Sequence, residues 1–248
     1  MARLVSFALV AALILCTVSV VAADTKIVKM RHTDAYSVMG QAQPAKDEDS
    51  TVWLGPDRMQ VEQSGMTFIV RLDQKAAYMI NHAKKVYSKL DLPLDLNKMM
   101  PPGMAQMAMS MMNFKVSVTP LGQSKKVGSW FAKGYKMTMT SAMSTMESTV
   151  WATTDVKVDL SKYKEMMKEF LKMQPGMAEM ARELEKIEGL QVESAGSMTV
   201  MGGTKVATSE RTTSIAESEA PASGYEPPAG YEDRPFDFAT MVQQKQGQ

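Results

Sequence analysis

The chain has 248 residues, with 28 Lys and Arg against 27 Asp and Glu, and a single cysteine. So balanced a charge excludes the basic surface that nucleic acid requires, and it gives no general pull toward anionic lipid. One cysteine excludes a disulfide framework and any multi-cysteine metal site.

The first 23 residues read as a secretory signal. Met1-Ala2-Arg3 is a short basic start, Leu4 to Val21 is almost wholly apolar, and Val21-Ala22-Ala23 sets small side chains before Asp24. The alternative is an uncleaved N-terminal membrane anchor, since 18 apolar residues just span a bilayer. Cleavage leaves 225 residues, 27 basic and 27 acidic side chains, no cysteine and 24 methionines against 16 leucines and isoleucines. The expected location is the periplasm. An exported chain without disulfides depends on its core, and 225 residues are enough to bury one. Methionine as the main large aliphatic residue suits surfaces that repack around varied apolar partners.

From Thr25 to Leu92 the pattern is short strands and turns. Thr51 to Leu54 runs into the turn Gly55-Pro56-Asp57; Arg58 to Glu62 alternates; Ser64-Gly65 turns the chain. Met66, Phe68, Val70 and Leu72 then share a face. Ala76–Asn81 and Lys85–Asp91 form a further pair, so the block reads as an antiparallel meander. Met99 to Met112 carries seven methionines in 14 residues and allows a short helix over 104–113, read either as core or as a mobile cover. Strands return at Phe114–Thr119, after which Pro120-Leu121-Gly122 is expected to bend the chain, and again at Gly134–Thr140 and Glu147–Thr153. Ser50-Thr51-Val52-Trp53 is echoed by Ser148-Thr149-Val150-Trp151.

Leu160, Tyr163, Met166, Met167, Phe170 and Leu171 fall on one helical face, and Pro175-Gly176 ends that helix. Met177, Met180, Ala181, Leu184 and Ile187 form the stripe of a second, stopped at Gly189. The pair, 160–188, is expected to pack across a curved sheet. Leu190–Ser194, Ser197–Met201 and Thr204–Thr213 read as strands, the last two joined by Gly202-Gly203. Residues 24–215 are taken as one domain. Residues 216–248, where Gly224-Tyr225-Glu226 recurs as Gly230-Tyr231-Glu232, are taken as an extended segment, disordered at its end.

This order of elements resembles the LolA-like superfamily of periplasmic lipid and lipoprotein carriers, in a branch that is a domain of unknown function. The likeness rests on Val52-Trp53-Leu54-Gly55-Pro56-Asp57-Arg58-Met59, on Tyr78-Met79-Ile80-Asn81 followed by Lys85-Val86-Tyr87, on Gly134-Tyr135-Lys136 and on Pro228-Ala229-Gly230-Tyr231. The resemblance implies a mainly β (α+β) fold: a curved, antiparallel, unclosed half-barrel sheet with inserted helices acting as a lid over an apolar cavity. It also implies a carrier role. No residue used for lipoprotein handover is matched.

Catalysis is not expected. The mature chain has two histidines, His32 and His82, without a metal-ligand spacing, and neither a phosphate loop nor a G-x-S-x-G elbow. Asp47-Glu48-Asp49 reads as a solvated loop; a calcium site there would need further spaced ligands. The expected ligand is an apolar small molecule, a lipid or a lipoprotein acyl chain, with an envelope membrane protein as a possible partner and no cofactor, metal or nucleic acid. The sheet-side lining is assigned to Trp53, Met59, Phe68, Met79, Tyr135, Met137, Met139 and Trp151, and the helical side to Met104, Met107, Phe170 and Met180. Two alternatives stand beside it: a methionine-rich Cu(I)/Ag(I) binder, because thioethers select soft cations, and a ligand-free structural or interaction module of the cell envelope.

Overall fold

The computed structural model describes residues 24–236, except 39, 101–102, 112–113, 142–143, 200–202 and 222–223. The expected signal, 1–23, the expected Gly202 turn position and the end of the tail from 237 lie outside the described residues.

In chain order, β1 is Asp24–Thr33, and a small side hairpin follows from β2 (Tyr36–Val38) and β3 (Gln41–Gln43). The first meander is β4 (Lys46–Leu54), β5 (Arg58–Gln63), β6 (Met66–Arg71), β7 (Ala76–Asn81) and β8 (Val86–Asp91). Two short helices, α1 (Leu96–Met99) and α2 (Met104–Met111), lead to β9 (Lys115–Val127), β10 (Trp130–Thr140) and β11 (Thr145–Thr153). Then come α3 (Leu160–Lys172), α4 (Ala178–Leu184), β12 (Leu190–Thr199), β13 (Lys205–Ser218) and β14 (Glu232–Asp233). The molecule is mainly β. Twelve strands make one large, curved, unclosed sheet in the order β14-β8-β7-β6-β5-β4-β1-β13-β12-β11-β10-β9. Every pair is antiparallel except β14 with β8.

Local chemistry sets the turns. Ser64 and Gly65 both have positive φ, 50° and 73°, the pairing a two-residue hairpin between right-twisted strands requires. At Gly189 the constraint is space: a Cβ there would lie 2.1 Å from the Thr153 carbonyl oxygen, with φ at 96°. Only glycine lets the chain leave α4 this close to β11.

Two sequence expectations change. Pro120-Leu121-Gly122, expected to bend the chain, marks an irregularity inside a longer strand: β9 runs on to Val127, and its register against β10 shifts from Pro120 opposite Tyr135 to Ser124 opposite Lys133. Proline is tolerated because β9 is the outermost strand, where a missing N–H costs no ladder bond. Residues 190–199 are likewise one strand, not two, with an irregularity opposite Trp151 and Ala152. The expected break at Pro175-Gly176 does separate α3 from α4, and the expected 104–113 helix is α2, ending at Met111.

Burial follows the faces of the sheet. On one face α3 packs Met166 and Phe170 against Ile27, Leu54, Met59, Val70, Ala77 and Leu90. Met166 is 1% exposed and Val70 is fully buried. On the other face the extended tail supplies the cover. Tyr225 joins Trp53, Ile69 and Ile80, its hydroxyl donating to Asp24 Oδ2 at 3.0 Å. Tyr231 meets His82 edge-on at 5.7 Å and lies 3.0 Å from its Nδ1. The tail then pairs as β14 with Val86 and Tyr87 and sends Phe236 back to the α3 face. It therefore clasps the β8 edge from both sides.

Phe170→Ala should lower unfolding free energy by about 3 kcal/mol through lost burial and a residual cavity. Phe131→Ala, at a side chain 64% exposed, should stay within about 0.5 kcal/mol. Denaturant midpoints at constant slope measure both, and equal effects would contradict the assigned packing.

Candidate functional site

Strand alternation and register divide the candidate residues between the two faces. Val61, Phe68 and Met79 are direct cross-strand partners, and Met59 pairs with Val70 one pleat repeat along. All of them point toward α3, and the Phe68 and Phe170 rings meet at 5.9 Å, tilted by 54°. Met59, Phe68, Met79 and Phe170 thus form one apolar cluster, as the sequence reading expects.

A second apolar group lies on the same face in the other half of the sheet. Tyr135 and Met137 pack with Val118, Val150 and Ala152 of the sheet and with Leu184 and Ile187 at the end of α4. The Tyr135 hydroxyl accepts the Glu188 backbone N–H at 3.1 Å, which ties the α4 exit to β10. Met180 is half-buried on α4.

The two candidate tryptophans, Trp53 and Trp151, face the other way. Trp53 pairs with Gln60 while its neighbours Val52 and Leu54 face α3, so the indole lies on the opposite side, under Tyr225. Trp151 follows Val150 and turns to the same opposite side, among Val127, Ala132 and Val192. Each carries a lysine over its ring, Lys26 at 4.9 Å from Trp53 and Lys125 at 4.4 Å from Trp151. Neither tryptophan shares a face with Met59, Met79, Met137 or Met139. Met104 is 42% exposed at the start of α2. Met107 lies in α2, and its side chain is outside what is described.

Sequence reasoning missed two features of the methionine face. The first is a row that only register reveals. Val116 opposes Met139, Met139 opposes Met146, Met146 opposes Met198, and Met198 opposes Val206. The row crosses five strands. Its valines are buried, Met139 and Met146 are half-buried, and Met198 is 37% exposed. Met146 and Met198 carry no periodicity signal of their own, since each sits alone among Ser, Thr and Glu.

The second is a charged seam between the two apolar groups. Lys29 Nζ donates to Glu210 Oε1 at 2.9 Å and Arg31 Nη2 to Oε2 at 2.8 Å, while Gln191 Nε2 reaches Oε1 at 3.2 Å. Burial pushes the Glu210 carboxyl up, but Lys29 and Arg31 outweigh it and hold the pKa below the usual carboxylate range. Beside them, loss of water raises the pKa of the Tyr163 hydroxyl on α3. In sequence, Lys29, Arg31 and Glu210 look like ordinary solvated positions; 181 and 179 residues separate the partners.

On the opposite face an open groove of about 310 Å³ is lined by Asp49, Thr51, Glu62, Ser64, Thr67 and His82 among others. It is polar, and its histidine is already engaged by Thr67 Oγ1 at 2.8 Å and by Tyr231. Among the described residues no group of three or more His, Cys, Asp or Glu side chains is placed to hold a metal ion. No helix among them is long and apolar enough to cross a membrane.

The seam has a pH signature. Because the folded-state pKa of Glu210 is depressed, its contribution is present above the unfolded carboxyl pKa and is lost as pH falls through the folded value. Glu210→Gln should cost about 2 kcal/mol near neutrality, leaving Lys29 short of a counter-charge. The gap between wild type and variant should close as pH falls below the ordinary glutamate range and through the depressed folded value. Denaturant titrations across that range test it, and a gap independent of pH would show that the ion pairs do not carry the effect.

A family model described as a domain of unknown function (DUF4412) matches residues 37–231, from within β2 to the residue before β14. A comparison with curated proteins finds no match. With well over half of its length matched, the chain belongs to the DUF4412 family.

Proposed function

We propose that this protein is an exported, non-enzymatic binder or carrier of an apolar ligand, a lipid or an acyl chain, held on the methionine face of the sheet. The helical pair α3–α4 acts as a lid on that face, and the half-barrel arrangement follows the LolA-like resemblance. Residues 1–23 direct export to the periplasm, and an envelope membrane protein delivers or receives the ligand. The observation that carries the reading is the accessibility of the methionine row. Met139, Met146 and Met198 lie partly open on the face whose neighbouring portions are covered by α3 and α4. A contiguous apolar surface left open beside a covered one marks a place where something apolar docks, and methionine adapts to its shape. Binding would come from apolar burial at about 25 cal/mol per Å², less the cost of ordering.

A second reading, a ligand-free envelope module, draws on the filled interface between α3 and the sheet, where Met166 is 1% exposed. One experiment separates the two. The mature protein is titrated with an apolar fluorescent dye, then with a fatty acid or phospholipid as competitor. The carrier reading expects saturable dye uptake by folded protein and displacement by lipid. Met139→Gln combined with Met198→Gln should weaken lipid binding about tenfold, equivalent to about 1.4 kcal/mol, at unchanged thermal stability. A folded protein that takes up neither dye nor lipid overturns the carrier reading.

A further inference from the structure

We infer that Met139, Met146 and Met198 form a three-thioether site for a soft monovalent cation of the Cu(I) class. The inference needs sulfur at these positions, whereas the proposed function needs only apolarity.

The register brings the three side chains together. They occupy directly opposed positions on three adjacent strands, β10, β11 and β12, with Met146 flanked by the other two. Opposed side chains in an antiparallel sheet start about 4.5–5.5 Å apart at Cβ. A three-coordinate ion with metal–sulfur bonds of about 2.3 Å, the scale of metal–thiolate bonds, sets its sulfurs about 4 Å apart. The outer pair, Met139 and Met198, starts about 9–10 Å apart across Met146, two strand spacings, and converges only because the long, flexible methionine side chains can both lean inward over Met146. Met198, 37% exposed, leaves a route for the ion, and buried Val116 and Val206 close the row at each end.

The residue choice is informative. Both ends of the row are valine, the usual occupant of a half-buried strand position. The three central positions are all methionine, which is not a favoured strand residue. Packing alone asks for branched side chains there; a thioether cluster asks for methionine. The donor set is purely soft, and soft thioethers select Cu(I) over the hard cations that carboxylates and carbonyls take. Met137, two residues before Met139 on the same face of β10, stands as a neighbouring sulfur.

The test uses Ag(I) as a redox-inert probe of the same class. Mature protein with 13C-labelled methionine methyl groups is titrated with Ag(I) in the presence of excess free methionine. The expected result is one equivalent bound, with the methyl resonances of Met139, Met146 and Met198 moving together. The variant Met139→Leu/Met146→Leu/Met198→Leu keeps the row apolar but removes the three sulfurs, and should lose that equivalent. Retention of Ag(I) by this variant with unchanged stoichiometry and affinity would assign the ion to other methionines and overturn the site, as would failure of the wild type to compete with free methionine. Should the triple variant not fold, Met198→Leu alone, at a partly exposed position, should weaken Ag(I) binding at least tenfold, and an unchanged affinity overturns the site equally. Loss of lipid uptake with Ag(I) binding intact would count against the proposed function alone.

Discussion

The central strand holds the molecule together. β1 pairs along its length with β4 on one side and with β13 on the other, ten residues deep on the β13 side. The first meander, β4 to β8, is local in sequence, and so is the second, β9 to β13, apart from the inserted α3–α4 pair. Among the described strands, β1 alone fuses them into one sheet. The apolar group under α3 and the charged seam depend on that fusion, because the face under α3 includes Ile27 of β1, and the seam uses Lys29 and Arg31 of the same strand. A strand near one end of the described chain thus closes contacts across almost two hundred residues. Long-range closure of this kind is entropically costly and slow to form.

The local parts of this architecture were legible. Alternation at Met66–Arg71 and Arg58–Gln63, the Ser64-Gly65 turn and the break at Pro175-Gly176 are short-range signals, and the elements follow them. The role of β1 was not legible: Lys26, Lys29, Arg31 and His32 interrupt its apolar positions, so the strand lacks the pattern of a sheet centre. The reason is physical. In the middle of this sheet one face is not uniformly apolar, and its charges are neutralised by a partner that only tertiary structure supplies.

The same limit applies to the candidate site. Met59, Phe68, Met79 and Phe170 come together because each is part of a periodic local stripe. The tryptophans were assigned to the wrong company because large aromatic area says nothing about side. Alternation within Val52-Trp53 and Val150-Trp151 settles it, and the echo of Ser-Thr-Val-Trp turns out to mean one repeated environment: valine toward the helices, tryptophan away beneath a lysine. The methionine row is a property of register across β10, β11 and β12, and register is fixed by turns, irregularities and the neighbouring face rather than by any one strand.

The two borders of the sheet are finished differently. At β8 the chain's own tail lies over one face, adds β14 and returns to the other face through Phe236. At β9 the outer side faces solvent among Lys115, Lys126 and Pro120. The stretch of β8 that β14 covers is closed to strand addition by another chain, while β9 is guarded by exposed lysines and a proline that cannot donate. The two borders thus resist edge-to-edge aggregation by different means, one by a two-residue strand of the chain itself and the other by charge and a missing donor.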